Sequence, residues 1–203
     1  MASERIALFP LSQALFPDSL ITLTVFEVRY LHLIRRAQQE GITFGVVPLA
    51  EGEEVQKAGV IERLHRWGCI AEVLDVQTIQ PAVLGVQLRG GQRFLLGDHF
   101  REAYGLWHGE ITRLAPDTPQ PVPEDLAPLS ERLDSLLRGA IDEGLEEKLP
   151  VSPPYRLDEA GWVADRWAHL LSIPAHEKAA LLSEQDAVTR LRRIATWLKL
   201  NSH

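Results

Sequence analysis

The sequence predicts an α+β protein: a small closed β-barrel with one packed helix over residues 1–116, then an all-helical subdomain over residues 117–203. Three observations carry that prediction. Apolar and polar residues alternate with a period of two through most of the first half, where one early stretch changes to helical spacing. Ala115–Asp125 then holds Pro116, Pro119, Pro121 and Pro123, which reads as a semi-rigid linker with few contacts and as the boundary between the parts. Beyond it no strand pattern remains, and leucines and tryptophans recur at helical intervals.

The organising stretch is Arg5–Glu40, which reads as strand, turn, strand and helix. It contains two Leu-Phe-Pro units, Leu8–Pro10 and Leu15–Pro17. Pro10 and Pro17 lack the N–H that a ladder needs, which places each at a strand end or edge. Each also biases the preceding phenylalanine, Phe9 or Phe16, toward extended backbone. Both rings are expected in a core, because buried aromatics ordinarily serve packing. Ile21, Leu23 and Val25 alternate with Thr22 and Thr24 as a half-buried strand. Phe26–Tyr30, FEVRY, opens a helix with Val28, Leu31, Ile34 and Ala37 expected on the buried face and Arg35, Arg36 and Gln39 turned away. Gly41 is its natural stop.

Thr43–Leu49 is the next strand, and Ala50–Ala58 is a polar surface loop with Glu51, Glu53 and Glu54. Trp67–Val76 and Val83–Leu88 are strands, Gly90-Gly91 is a tight turn, Arg93–Leu96 returns, and Tyr104–Leu114 is the last strand. In the second half Leu126, Leu129, Leu133, Leu136, Leu137 and Ile141 mark one amphipathic helix, and Leu149–Pro154 is a break. Asp158 is placed to cap a helix containing Trp162, Val163, Trp167, Leu170 and Leu171. Pro174 opens a short helix, and Asp186 caps the last one.

Composition narrows the function. The formal net charge is −7 and no basic block occurs. Phosphate neutralisation dominates nucleic-acid affinity, so nucleic acid is not the expected main partner. One cysteine, Cys69, excludes an internal disulfide and suits a reducing cytoplasm. No leader pattern and no apolar run of membrane-spanning length is visible, so a soluble cytoplasmic protein with no membrane partner is expected. No G-x-x-x-x-G-K-[ST] phosphate loop and no G-x-S-x-G elbow occurs, so no catalytic residue is assigned. Lys178 and Ser183, the nearest lysine–serine pair, read as ordinary surface residues. His65 and Cys69 stand four apart, but on a strand pattern and without a second pair, so neither a metal nor a cofactor is expected.

The candidate binding residues are Phe26, Glu27, Arg29 and Tyr30 of FEVRY, with Arg93 and the barrel tryptophans Trp67 and Trp107. Charges among apolar residues need partners. Glu27 is expected to accept backbone N–H bonds at the helix start or to pair with an arginine; a peptide-binding niche is the functional alternative. Phe100 and Tyr104 also lie in or beside barrel strands, and exposed aromatics mark interaction surfaces. Trp162, Trp167 and Trp197 follow helical spacing and are expected in the core.

The strings ALFPL, LFP and LTVFEVRY at this spacing resemble the opening of the Lon-protease N-terminal, or substrate-binding, domain family, with Ala7 standing where proline is usual. Thr43–Leu49 resembles that family's FGVV strand, Arg93-Phe94 its G-x-RF-x-I pattern, and Leu171–Leu198 its closing helical part. The resemblance covers nearly the whole chain. It implies a PUA-like barrel and recognition of polypeptide, in unfolded or exposed apolar segments, without catalysis. The role implied is substrate recognition, or an adaptor or regulator working with a separate protease. Longer members add an ATPase and a protease module; the sequence ends at His203, where the ATPase part would be expected, so a stand-alone member lacking both is expected. An RNA-binding PUA-like module and a small-ligand-binding domain are the alternatives; a basic face with stacked aromatics would mark the former.

Overall fold

The computed structural model describes residues 3–52 and 62–200. Its first half contains β1 (Glu4–Leu11), β2 (Leu20–Val25), α1 (Val28–Glu40), β3 (Phe44–Glu51), β4 (Arg63–Leu64), β5 (Trp67–Gln80), β6 (Val83–Arg101) and β7 (Trp107–Arg113). The second contains α2 (Ala127–Asp142), α3 (Ala160–Leu170), α4 (Ala175–Ser183) and α5 (Ala187–Leu200). The α+β class is therefore observed. Antiparallel pairings run β1-β7-β6-β5-β3, and a parallel pairing of β3 with β1 closes the ring into a barrel. β2 lies outside the ring on the first half of β6, and β4 extends β3.

The two Leu-Phe-Pro units serve different cores. Pairing of β1 with β7 ends at Leu8, so Pro10 falls where the strand is paired with β3 alone and its missing N–H is tolerated. Phe9 stacks on Tyr30 at 4.0 Å in the core between α1 and the barrel. Pro17 sits in the turn before β2, and Phe16 is wholly buried among the helices of the second half.

Several expectations are corrected. Val28 is 67% exposed, and Arg29, Tyr30 and Leu33 join Leu31, Ile34 and Ala37 on the buried face of α1. Positions three apart step back by about 60° each time, so four of them wrap half the helix. Gly90-Gly91 makes no turn: β6 runs on through it as one strand of 19 residues. Opposite it, Ala71 pairs with Gly90 and Cys69 with Arg93, which leaves one extra residue on β6, a bulge. A Cβ at Gly90 would lie 2.0 Å from the carbonyl oxygen of Phe16, so glycine admits a crossing backbone here rather than a reversal. β7 starts at Trp107 instead of Tyr104, because Glu102–Leu106 is taken by a turn in which the Gly105 N–H donates to the Glu102 carbonyl at 2.8 Å.

The proline-rich segment is pinned rather than loose. Asp117 receives Arg93 and Arg190, the Val122 N–H donates to the Asp158 carbonyl at 2.9 Å, and the Ala160 N–H to the Gln120 carbonyl at 2.8 Å. Prolines remove donors but leave carbonyls free to accept. Glu159, not Asp158, occupies the N-cap position of α3. Leu136 and Ile141 are exposed, and α2 buries Leu133 and Leu137. Lys178 is buried, its Nζ 3.4 Å from the His169 carbonyl, because α4 packs against the barrel strands β3 and β5. Gly41 and Asp186 act as expected: Gly41 is left-handed at φ 67°, and Asp186 Oδ1 accepts the Thr189 N–H at 2.7 Å. Ala50 and Glu51, expected in a surface loop, instead end β3, where Glu51 pairs with Arg63 at 3.3 Å; Glu53 and Glu54 lie outside the described residues.

Candidate polypeptide-binding site

The start of α1 meets the β6–β7 turn at one end of the barrel. Arg29 joins them. Its guanidinium is buried, donates to the Gly105 carbonyl at 2.7 Å, lies 3.0 Å from Glu27 Oε2 and sits 4.6 Å from the centre of the Tyr30 ring. Glu27 stands at the N-cap but its side chain bonds no helix N–H; of its two expected structural roles, pairing with arginine is the one adopted. Burial pushes the Tyr30 phenol far above the ordinary tyrosine range, so it stays neutral.

Around this staple, apolar side chains stay open to water. Phe26 is 50% exposed and Tyr104 62%, and exposed Val28 on α1 lines the same recess as Tyr104. Two recesses flank the helix start. One, of about 160 Å³, lies between β2 and α1 and is lined by Phe9, Leu11, Leu23, Phe26 and Tyr30 among others. The second, of about 470 Å³, is lined by Val28, Leu33, Tyr104 and Leu106 with Arg29, His32 and Arg36. Trp107 follows the same turn. It is half-buried, its Nε1 donates to Glu62 Oε2 at 2.9 Å, and the Arg101 guanidinium lies 4.6 Å from its ring centre.

Trp67 and Arg93 are not part of this end. Trp67 packs against the helical core. Arg93 reaches from the barrel into the second half, donating to the Glu184 carbonyl at 2.6 Å, to the Leu182 carbonyl at 3.1 Å and to Asp117. Asp117 also receives Arg190, whose Nε is 2.9 Å from Asp165 Oδ1. Arg166 donates to Ser19 Oγ at 2.9 Å and to the Pro17 carbonyl. Burial lowers the Arg93 pKa, and Arg190 adds to the effect. Burial also opposes the charge on Arg190, but the Asp165 and Asp117 carboxylates prevail and raise its pKa. Sequence reasoning missed Asp117, Asp165, Arg166 and Arg190. The available signal was the Asp165-Arg166 pair inside the run from Trp162 to Trp167, charges on a helix apolar all round.

Cys69 is wholly buried in the barrel, its thiol donates to the Gly91 carbonyl at 3.1 Å, and burial raises its pKa. Among the described residues no group of three or more His, Cys, Asp or Glu is placed to hold a metal, and no helix is long and apolar enough to cross a membrane.

The family model described as the ATP-dependent protease La (LON) substrate-binding domain matches residues 5–199. Among solved structures, a Lon N-terminal domain protein from Xanthomonas campestris is similar over 96% of this chain and 98% of its own, with 27% sequence identity and a TM-score of 0.72. The N-terminal domain of the Mycobacterium avium complex Lon protease, 16% identical with a TM-score of 0.65, is similar in fold over 98% of this chain and 100% of its own. No curated protein matches the chain.

Proposed function

Since the chain belongs to the Lon substrate-binding domain family, we propose that it is a non-catalytic module that binds polypeptide at the start of α1. The observation that carries this reading is the exposure of Phe26, Val28 and Tyr104 around a helix start tied down by Arg29. Exposed apolar side chains that line recesses mark interaction surfaces. A rigid frame lowers the ordering cost of binding.

In this reading Phe26, Val28 and Tyr104 touch the polypeptide, Glu27, Arg29 and Tyr30 position them, and Trp107 walls the site. Trp67 and Arg93 act at a distance by fixing the second half to the barrel. Residues 1–116 and 117–203 are two subdomains of one domain; Phe16 packing among the helices and Arg93 donating to Asp117, both across that division, support this. The module selects substrates for a separate protease, or acts as its adaptor or regulator, in the cytoplasm.

The test is an anisotropy titration of labelled peptides and RNA at low and moderate salt. An unfolded apolar peptide is expected to bind with little salt dependence, and a purely charged peptide of equal length worse. RNA binding that falls steeply with salt, without a peptide response, would replace this reading with the nucleic-acid one.

A further inference from the structure

The outer edge of β2 at Thr22 and Thr24 lies between the apolar end of the barrel and an acidic groove, and we infer that it takes an extended polypeptide segment as an added strand, apolar at one end and basic at the other. This rests on the polypeptide-binding reading and names its mode and substrate class.

Among the described residues β2 pairs with β6 alone. The Ser19 carbonyl accepts the Gly90 N–H of β6 at 2.9 Å, while the next N–H, of Leu20, points the other way and donates to the Pro150 carbonyl at 2.8 Å. Strand alternation then turns the N–H and C=O of Thr22 and Thr24 away from β6 as well. Among the described residues no backbone group pairs with them, and both threonines are exposed. Open edges are normally blunted by lysine, proline or a bulge. Leu20–Val25, LITLTV, has none of these, and its pairing with β6 is regular. Extended peptide is the chemistry that supplies C=O and N–H groups at the alternating spacing of this edge.

The two ends of the edge differ. Beside Val25 lies the recess lined by Leu23, Phe26, Phe9 and Leu11. Beside Leu20 lies a groove of about 670 Å³ whose charged residues, Asp75, Glu146 and Glu147, are all acidic, with Ile79 55% exposed. Thr22 lines both. The Pro150 carbonyl already takes the Leu20 N–H, so the added segment pairs at Thr22 and Thr24 and reaches both recesses from there. Charge complementarity selects lysine or arginine at the acidic end. Antiparallel addition sets the segment's apolar N-terminal end at Phe26 and its basic C-terminal end at Glu146 and Glu147.

The test uses the full chain and short labelled peptides, apolar first and lysine-bearing last, read by anisotropy. N-methylation of the alternate amides that face β2 is expected to weaken binding about tenfold, as the loss of two hydrogen bonds does, and methylation of the other set less than about twofold. Replacing exposed Glu146 and Glu147 together, Glu146→Lys with Glu147→Lys, should weaken the lysine-bearing peptide and spare one with an uncharged end. If unmodified peptides bind but the two methylated sets behave alike, strand addition is overturned while polypeptide binding stands. If no peptide binds, both fall.

Discussion

Arg29 and Arg93 are alike on paper: each stands beside an aromatic in a recognisable motif, and each is 5% exposed. Their surroundings differ. Arg29 ties a helix start to a turn within the first half, and the side chains around it, Phe26, Val28 and Tyr104, face water. Arg93 crosses to the second half, where Asp117 and two backbone carbonyls receive it and Arg190 and Asp165 complete a buried charge cluster. A buried arginine is therefore no pointer to function by itself. What separates a binding end from a structural seam is whether apolar surface around the charge is left unused.

The seam should give the largest response to mutation. Arg190→Met leaves Asp165 and Asp117 short of a partner in a buried site, which costs about 3–5 kcal/mol. The urea midpoint measures it, and a loss under about 1 kcal/mol would show that packing, not charge, holds the halves together.

His169, on α3 near Arg166 and Lys178, sharpens the same contrast. Burial lowers its pKa from 6.5 to about 4, with the two cations adding to the effect. The unfolded chain binds the proton more readily, so this contribution to stability is complete above pH 6.5 and is lost as pH falls toward 4. Its size is about 3 kcal/mol. The stability of a His169→Gln variant should fall less than the parent's across that window; parallel curves would mean that the imidazole is not dehydrated.

At the open end the effect on stability should be smallest. Phe26→Ala is expected to change it by no more than about 0.5 kcal/mol, while peptide affinity drops. If affinity were unchanged, the exposed end would be ordinary surface and the comparison with the seam would lose its functional half.

Much of this was legible in the chain because the causes are local. Alternation over Ile21–Val25, the extended bias before Pro10 and Pro17, the left-handed stop at Gly41 and the cap at Asp186 each act within a few residues, so a linear reading finds them. Local patterns also placed Phe9 and Phe16 in cores, although not in two separate ones. Tertiary structure alone decided the rest. Gly90-Gly91 looks like a turn to any local rule, but Phe16 crosses β6 there and the strand runs on. The charge cluster joins Asp117 to Arg93 and Arg190, 24 and 73 residues away along the chain, and no short-range pattern encodes such a meeting. The free edge of β2 is likewise a property of its neighbours: six residues specify a strand, but only the closing of the ring without β2 leaves Thr22 and Thr24 unpaired on its outer side among the described residues.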